Sequence, residues 1–223
     1  MKNTYGRIKV ALATAALAIS PSLASASANL DSKDFVGISF WLISMALVAA
    51  TAFFFMETQR VEGKWKTSLT VSGLVTLVAA VHYFYMRDVW VATQSTPLVY
   101  RYIDWLITVP LLMVEFYLIL RAITNVSGGI FWRLMIGSIV MLAAGYMGEA
   151  GYINAKLGFI IGMAGWAIYP IGYFMGYFTG AEPDAAAASL NIIYNLADVV
   201  NKIAFGVIIW NVAVTETDKA KAS

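Results

Sequence analysis

Long runs of apolar residues alternate with short polar connections along most of the chain. Each run can cross, or nearly cross, the roughly 30 Å hydrocarbon core of a membrane as a helix that rises about 1.5 Å per residue. The connections are too short to hold a soluble domain. The pattern predicts an all-α membrane protein, an up-and-down helical bundle that occupies residues 29–223 as one domain. The six apolar segments are 35–56, 67–86, 98–120, 131–147, 157–180 and 189–214.

Residues 1–28 have the pattern of a removable signal peptide. Three basic residues come first, residues 10–19 form a short apolar core, and residues 24–28 contain two A-x-A cleavage sites. A first transmembrane anchor is the alternative interpretation, but spanning a bilayer takes about 20 apolar residues. Cleavage would leave the mature N-terminus outside the cytoplasm.

Basic residues in the connections predict the orientation. The first connection carries Arg60, Lys64 and Lys66 and the third carries Arg121, so both are expected on the cytoplasmic side. Lysines near the end of the chain favour a cytoplasmic C-terminus. Six full crossings from an outside start would instead end outside. One segment is therefore suspect, and segment 157–180 stands out because it contains six glycines and a proline.

Composition excludes several other classes of protein. Hydrophobic residues make up 60% of the chain and charged residues 13%, against about 25% charged residues in an average soluble domain. The net charge of +2 is too small for a nucleic-acid-binding surface. The absence of cysteine excludes disulfides and thiolate metal sites, and no common hydrolase, nucleotide-binding or metalloprotease motif is present. We therefore expect membrane lipid as a partner and no enzymatic activity.

Apart from Arg133, just inside the fourth segment, six ionisable residues interrupt the apolar segments. Such groups are costly at membrane depth unless they are paired or hydrated, so they indicate a functional site. A single histidine leaves no basis for a histidine metal site or a bis-histidine haem, and we expect no metal. The six residues are His82, Arg101, Asp104, Glu115, Asp198 and Lys202.

The third segment carries two acids on one helical stripe. Asp104 and Glu115 are eleven residues apart, which places them within about 20° of one another and about 16 Å apart along the axis. Two acids stacked in this way can pass a proton along the membrane normal. Arg101 is expected to keep Asp104 ionised, and apolar surroundings favour protonated Glu115. The alternative is that Arg101 and Glu115 extend to the two interfaces.

Lys202 lies near the middle of the last segment, four residues after Asp198. A lysine at this depth is either half of a structural ion pair or a covalent anchor for a carbonyl compound through a Schiff base. Aromatic side chains could enclose a flat polyene there, although aromatic stripes are also common in simple packing. The aromatic candidates are Trp105, Trp166, Tyr169, Tyr173 and Tyr194.

Residues 101–115 (RYIDWLITVPLLMVE) and 194–206 (YNLADVVNKIAFG) resemble the microbial rhodopsins. The resemblance extends over nearly everything after the signal peptide. It implies a seven-helix bundle in the inner membrane of a bacterium, with the N-terminus outside. It also implies all-trans retinal bound to Lys202 as a protonated Schiff base, outward proton pumping driven by light, and assembly into a homo-oligomer.

The same resemblance implies roles for individual residues. Asp104 would be the counterion and proton acceptor, and Glu115 the cytoplasmic proton donor. His82 would hydrogen-bond the acceptor, while Arg101 and Asp198 would complete the counterion cluster.

The triplet Asp104, Thr108 and Glu115 is typical of proton pumps, because chloride pumps of the family lack the acidic acceptor and sensors usually lack the donor. Trp105, Tyr169 and Pro170 match retinal-pocket positions. The alternatives are a photosensor, a light-gated passive proton pathway and an inactive truncated rhodopsin.

Leu112 occupies the position that tunes colour in the family, where an apolar residue implies absorption of green light. Tyr194 is the aromatic residue that opens the second matching motif.

The chain departs from the family in one region. Residues 158–166 resemble the start of a fifth helix and 167–173 the outer half of a sixth, and the inner halves of both are missing. Trp166 falls at the junction and matches a tryptophan in either helix. Segment 157–180 is then either one continuous crossing, which separates Asp198 from Arg101, or a segment that enters and returns, which keeps them together.

Overall fold

The computed structural model describes residues 31–163 and 183–222, and the regular elements in these two ranges are helical. The predicted signal peptide, residues 1–28, lies outside the described residues. The elements are α1 (Phe35–Glu57), α2 (Lys64–Thr93), α3 (Leu98–Ile123), α4 (Gly128–Glu149), α5 (Ala155–Met163), α6 (Pro183–Asp198), a π-helical segment (Val199–Ala204) and α7 (Phe205–Ala222).

Five of the described helices are long and apolar enough to cross a membrane. They are α1 to α4 and a continuous last helix, Ala187–Ala222, in which the π-helical segment joins α6 to α7. The predicted all-α membrane bundle is thereby confirmed. The described part of α5 has nine residues, or about 13 Å along the helix axis.

Contacts at both ends of α1 give the direction of the last helix. Near the start of α1, Val36 and Trp90 of α2 belong to one apolar cluster. Ala187 of the last helix packs against this cluster. At the end of α1, Trp210 Nε1 donates a hydrogen bond of 2.6 Å to Glu57 Oε2. The last helix therefore runs parallel to α1. We term the end where α1 begins the N-terminal end of the bundle and the other the C-terminal end.

Helix α5 starts at the N-terminal end as well. Helix α4 finishes at Glu149, whose Oε1 accepts hydrogen bonds from Tyr102 and Tyr194, and α5 begins at Ala155 after a short turn. Both α5 and the last helix thus begin at one end of the bundle. The described residues thus show the starts of these two helices at the same end, as the arrangement that enters and returns requires. Residues 164–182 themselves lie outside the described residues.

A close approach between α1 and α7 fixes their spacing in the C-terminal half. A Cβ atom on Gly206 would lie 2.5 Å from Cζ of Phe54, which is completely buried. Because the phenyl ring is enclosed, it cannot move aside without disturbing its neighbours.

We expect Gly206→Ala to destabilise the protein by about 1–3 kcal/mol, the usual range for overpacking. The matched control is Gly137→Ala, where the added methyl group meets nothing within 4 Å and alanine has the better helix propensity. Thermal unfolding in detergent, followed by circular dichroism, measures both. Equal melting temperatures for the two variants would contradict the proposed contact.

Candidate functional site

The centre of the bundle holds a buried ammonium between two carboxylates. Lys202 Nζ lies 2.5 Å from Asp104 Oδ2 and 3.2 Å from Asp198 Oδ1, and all three side chains are fully enclosed. A charge in this position needs close partners, because hydrocarbon offers it no solvation. The cluster thus joins α3 to the last helix.

Local backbone geometry helps to place the lysine. Lys202 lies in the π-helical segment. This segment begins directly after α6 ends at Asp198. Such wide turns interrupt α-helices at functional sites more often than elsewhere, because the extra residue per turn re-aims the side chains that follow.

The two carboxylates differ in how fully they are hydrogen-bonded. Asp198 accepts a 2.6 Å hydrogen bond from Tyr83 Oη and a 3.2 Å hydrogen bond from Trp105 Nε1. Asp104 Oδ1 is buried and has no hydrogen-bond partner in the structure. Asp104 therefore keeps a free acceptor atom, whereas both oxygens of Asp198 are used.

His82 lies beside Asp104 but does not make the hydrogen bond that the sequence resemblance implies. Its Nδ1 is 3.9 Å from Asp104 Oδ1, which is too long for a hydrogen bond. The same nitrogen is 2.9 Å from the carbonyl oxygen of Val78, one turn earlier in α2, and donates to it. The backbone carbonyl satisfies the ring, so this expectation needs correction.

Arg101 is buried on the N-terminal side of the cluster and does not extend to the interface. Its guanidinium donates to the side-chain oxygens of Asn191, at 2.8 Å, and Asn195, at 3.3 Å. It also lies 5.1 Å from the centre of the Tyr194 ring. Among the described residues it forms no direct ion pair with a carboxylate. Arg101 is thus held by amides and aromatic rings, and it does not contact the two carboxylates directly.

Glu115 lies deep between α2 and α3 and is 1% exposed. Ser72 Oγ donates a hydrogen bond to it. The alternative in which Glu115 extends to the interface is therefore wrong. Thr108 lies between the two acids, and its Oγ1 donates to the backbone oxygen of Asp104 at 2.9 Å.

The remaining pocket residues form an aromatic wall. Trp105 and Tyr194 are buried with ring centres 5.1 Å apart, and Tyr194 Oη reaches Glu149 at 3.1 Å. Leu112 is buried one helical turn closer to the C-terminal end than Thr108. Three further candidates, Trp166, Tyr169 and Pro170, lie outside the described residues.

The sequence analysis did not identify several residues that hydrogen-bond to the charged groups of the site. Tyr83, Asn191, Asn195 and Ser72 carry no charge, so they did not stand out in apolar segments. A signal was nevertheless present. Ser68, Ser72 and Thr76 recur every four residues along α2, and all three are buried; such a polar stripe in a membrane helix marks the face turned to a polar neighbour.

A cleft of about 830 Å³ opens between α3, α4, α5 and the last helix, within the roughly 300–1,000 Å³ typical of ligand pockets. Leu112, Met141, Asn201 and Ala204 are among its lining residues. Asn201 directly precedes Lys202 in the chain, and Ala204 follows it two residues later. Asn201 Nδ2 is buried without a hydrogen-bond partner. The cleft fits an elongated apolar group beside Lys202, although Nζ itself is held by the carboxylates.

Comparison with known proteins agrees with this geometry. The family described as bacteriorhodopsin-like protein matches residues 34–166 and 163–216. The chain therefore belongs to the bacteriorhodopsin-like family, the microbial rhodopsins.

Within that family the chain is similar to the proteorhodopsins. It is 51% identical to the green-light absorbing proteorhodopsin of Gamma-proteobacterium EBAC31A08, over 90% of this chain and 95% of the relative. It is 50% identical to the blue-light absorbing proteorhodopsin of Gamma-proteobacterium Hot 75m4, over 90% of this chain and 94% of that relative.

Solved structures show the same kinship. The crystal structure of blue light-absorbing proteorhodopsin from Med12 matches with a TM-score of 0.74 and 48% identity, over 83% of this chain and 99% of that one. The crystal structure of Exiguobacterium sibiricum rhodopsin matches with a TM-score of 0.68 and 29% identity, over 81% of this chain and 96% of that one.

The comparisons also support the internal deletion expected from the sequence. The alignment with the green-light absorbing relative extends over 238 residues, more than the 223 residues of this chain. The relative therefore has residues without a counterpart here. The two parts of the family match overlap at 163–166, at the junction expected near Trp166.

We expect Tyr83→Phe to reduce stability by about 1–3 kcal/mol, because it removes a buried hydrogen bond to a carboxylate. The matched control is Tyr85→Phe, two residues along α2, where the side chain is 46% exposed; a change within about 0.5 kcal/mol is expected there. Unfolding by titration with a denaturing detergent measures both variants. A loss of equal size in both would show that the Asp198 hydrogen bond contributes nothing.

Proposed function

We propose that this protein is a light-driven outward proton pump that carries all-trans retinal on Lys202. The observation that best supports the proposal is the burial of Lys202 Nζ between Asp104 and Asp198, next to the cleft. A structural ion pair needs only one carboxylate, so the second acid and the adjoining apolar cleft go beyond what packing requires. Retinal joined to Nζ would supply absorption of visible light and a light-induced change of shape beside the proton on nitrogen.

The unequal hydrogen bonding of the two acids supports different roles for them. Asp104 lies nearer to Nζ and keeps Oδ1 free, so it can take a proton from Nζ and hold it. Asp198 is held as a charged acceptor by Tyr83 and Trp105. It would continue to neutralise positive charge at the site after Asp104 has become neutral.

Arg101 supports the direction of transfer. It lies one helical turn from Asp104 towards the N-terminal end, and Asn191 and Asn195 hold its guanidinium in place. Its positive charge favours the ionised form of Asp104, so Asp104 gives up the proton it has received, and the polar side chains around Arg101 offer a route towards the N-terminal end. The proposal places this end outside a bacterial inner membrane after removal of residues 1–28.

Glu115 would return the proton from the opposite side. It lies about 16 Å from Asp104 along α3, and among the described residues Ser72 alone donates a hydrogen bond to it. An enclosed carboxyl with one hydrogen-bond donor can hold a proton at rest. It can release that proton after Lys202 Nζ has given its proton to Asp104. Thr108 lies between the two acids on the same stripe. We propose further that the protein works as a homo-oligomer in lipid, as a transporter and not as an enzyme.

Binding of retinal is tested by adding all-trans retinal to membranes that contain the expressed protein. We expect a visible absorption band that is absent in Lys202→Ala, because the amine that anchors the chromophore is gone. Lys66→Ala, which changes an exposed lysine, should leave the band unchanged. Absence of the band in the wild type, or its persistence in Lys202→Ala, would refute the proposal.

Pumping is tested by illuminating cells that express the protein and recording external pH. We expect acidification of the medium that Asp104→Asn abolishes and Glu115→Gln slows by about 10²-fold or more, the usual contribution of a positioned acid or base. Asp88→Asn, which lies outside the central cluster, is the control. A flux that merely follows the membrane voltage would favour a passive pathway, and a slow photocycle without proton release would favour a sensor.

A further inference from the structure

The cleft extends well beyond the neighbourhood of Lys202. On α4 its lining residues run from Met141 to Arg133, eight residues or about 12 Å along the helix axis. The last helix follows the same course from Asn201 to Ile208. The cleft is therefore a long groove that leads from the middle of the bundle towards its C-terminal end. Helix α5 contributes Ile161, near the end of its described residues.

The groove has an apolar lining and faces away from the centre of the bundle. Several of its side chains are largely exposed, including Ile208 at 62% and Val140 at 53%. An apolar groove of this kind does not hold water well. Because α4 and the last helix both cross the membrane, the solvent at this depth is the hydrocarbon of the lipids.

One charged residue stands at the C-terminal end of the groove. Arg133 lines it one and a half turns into α4 and is exposed. Within residues 31–163 and 183–222 it has no hydrogen bond or ion pair. A guanidinium at this depth can extend towards the interface and bind a phosphate through two parallel hydrogen bonds. An apolar groove that ends in such a cation is complementary to a lipid with an anionic headgroup.

We propose that this groove binds one anionic phospholipid of the surrounding bilayer. One acyl chain lies between α4 and the last helix, and the headgroup phosphate binds Arg133. The site goes beyond the proposed pump and does not depend on it, because Lys202 and its carboxylates take no part. Retinal would need only the deep end of the groove beside Asn201.

The test uses the full chain in nanodiscs that contain equal amounts of phosphatidylglycerol and phosphatidylethanolamine, without added retinal. Native mass spectrometry after release then counts the lipids that stay bound. We expect one phosphatidylglycerol per protomer. Arg133→Gln should reduce its retention about fivefold, the factor for one basic residue near an anionic surface, and remove the preference over phosphatidylethanolamine.

A second variant fills the groove without touching the charge. Gly137 lines the groove, and a Cβ atom there would meet nothing within 4 Å. Gly137→Leu should therefore abolish retention while leaving the fold intact, as checked by circular dichroism. The controls are Gly128→Leu, also free of contacts but outside the groove, and Lys66→Gln, another exposed basic residue; both should retain the lipid.

Three results would overturn the proposal. The first is that Arg133→Gln and Gly137→Leu retain as much phosphatidylglycerol as the wild type does. The second is that Lys66→Gln reduces retention as much as Arg133→Gln does. The groove variants could instead change the oligomeric mass, which would mean that a second copy of the chain covers the groove.

A measurement on the wild type alone is independent of any folding defect. Phosphatidylglycerol with a photoreactive group on its acyl chain should label 133–141 and 200–208. Even labelling of all lipid-facing helices would refute the site.

Discussion

An ammonium cannot remain in the middle of a membrane protein without anions beside it, and the arrangement of this bundle follows from that constraint. Lys202 brings its own anion, Asp198, from the preceding turn, and takes a second, Asp104, from α3. With Arg101 nearby, two positive and two negative charges lie together and their formal sum is zero. The cost of burying each charge is thereby met by its neighbours rather than by water.

This neutral cluster also organises the helices around it. Tyr83 of α2 and Trp105 of α3 both donate to Asp198, so three helices converge on one carboxylate. A second polar contact, between Ser72 and Glu115, joins α2 to α3 in the other half. Apolar packing fills the space between these two points. Hydrophobic burial alone would let membrane helices slide and rotate against one another, whereas the polar contacts fix their depth and register.

The sequence predicted the bundle well because span length and hydropathy determine where a helix can cross a bilayer. Helix ends were less accurate. Helix α2 continues to Thr93, beyond the predicted end at residue 86. Its last turns hold the buried residues Arg87 and Trp90, which pack against the rest of the bundle. The direction of the last helix could not be read from hydropathy, which is the same in either direction. Contacts such as Trp210 with Glu57 determine it.

The site was predictable where residues carry charge and less so where they do not. Asp104, Asp198 and Lys202 stood out because ionisable groups are rare at this depth. His82 stood out equally, but its ring found a partner in its own helix, an outcome that residue type alone does not reveal. The uncharged donors Asn191 and Asn195 became evident only through the guanidinium they hold.

The parallel course of α1 and the last helix has a practical consequence. Asp31 and Ala222, the first and last described residues, lie at opposite ends of the bundle and so face opposite compartments. A fluorescent or enzymatic tag joined after the last helix would sit across the bilayer from an epitope placed before α1. A protease added to one side of sealed vesicles would then remove only one of these two labels.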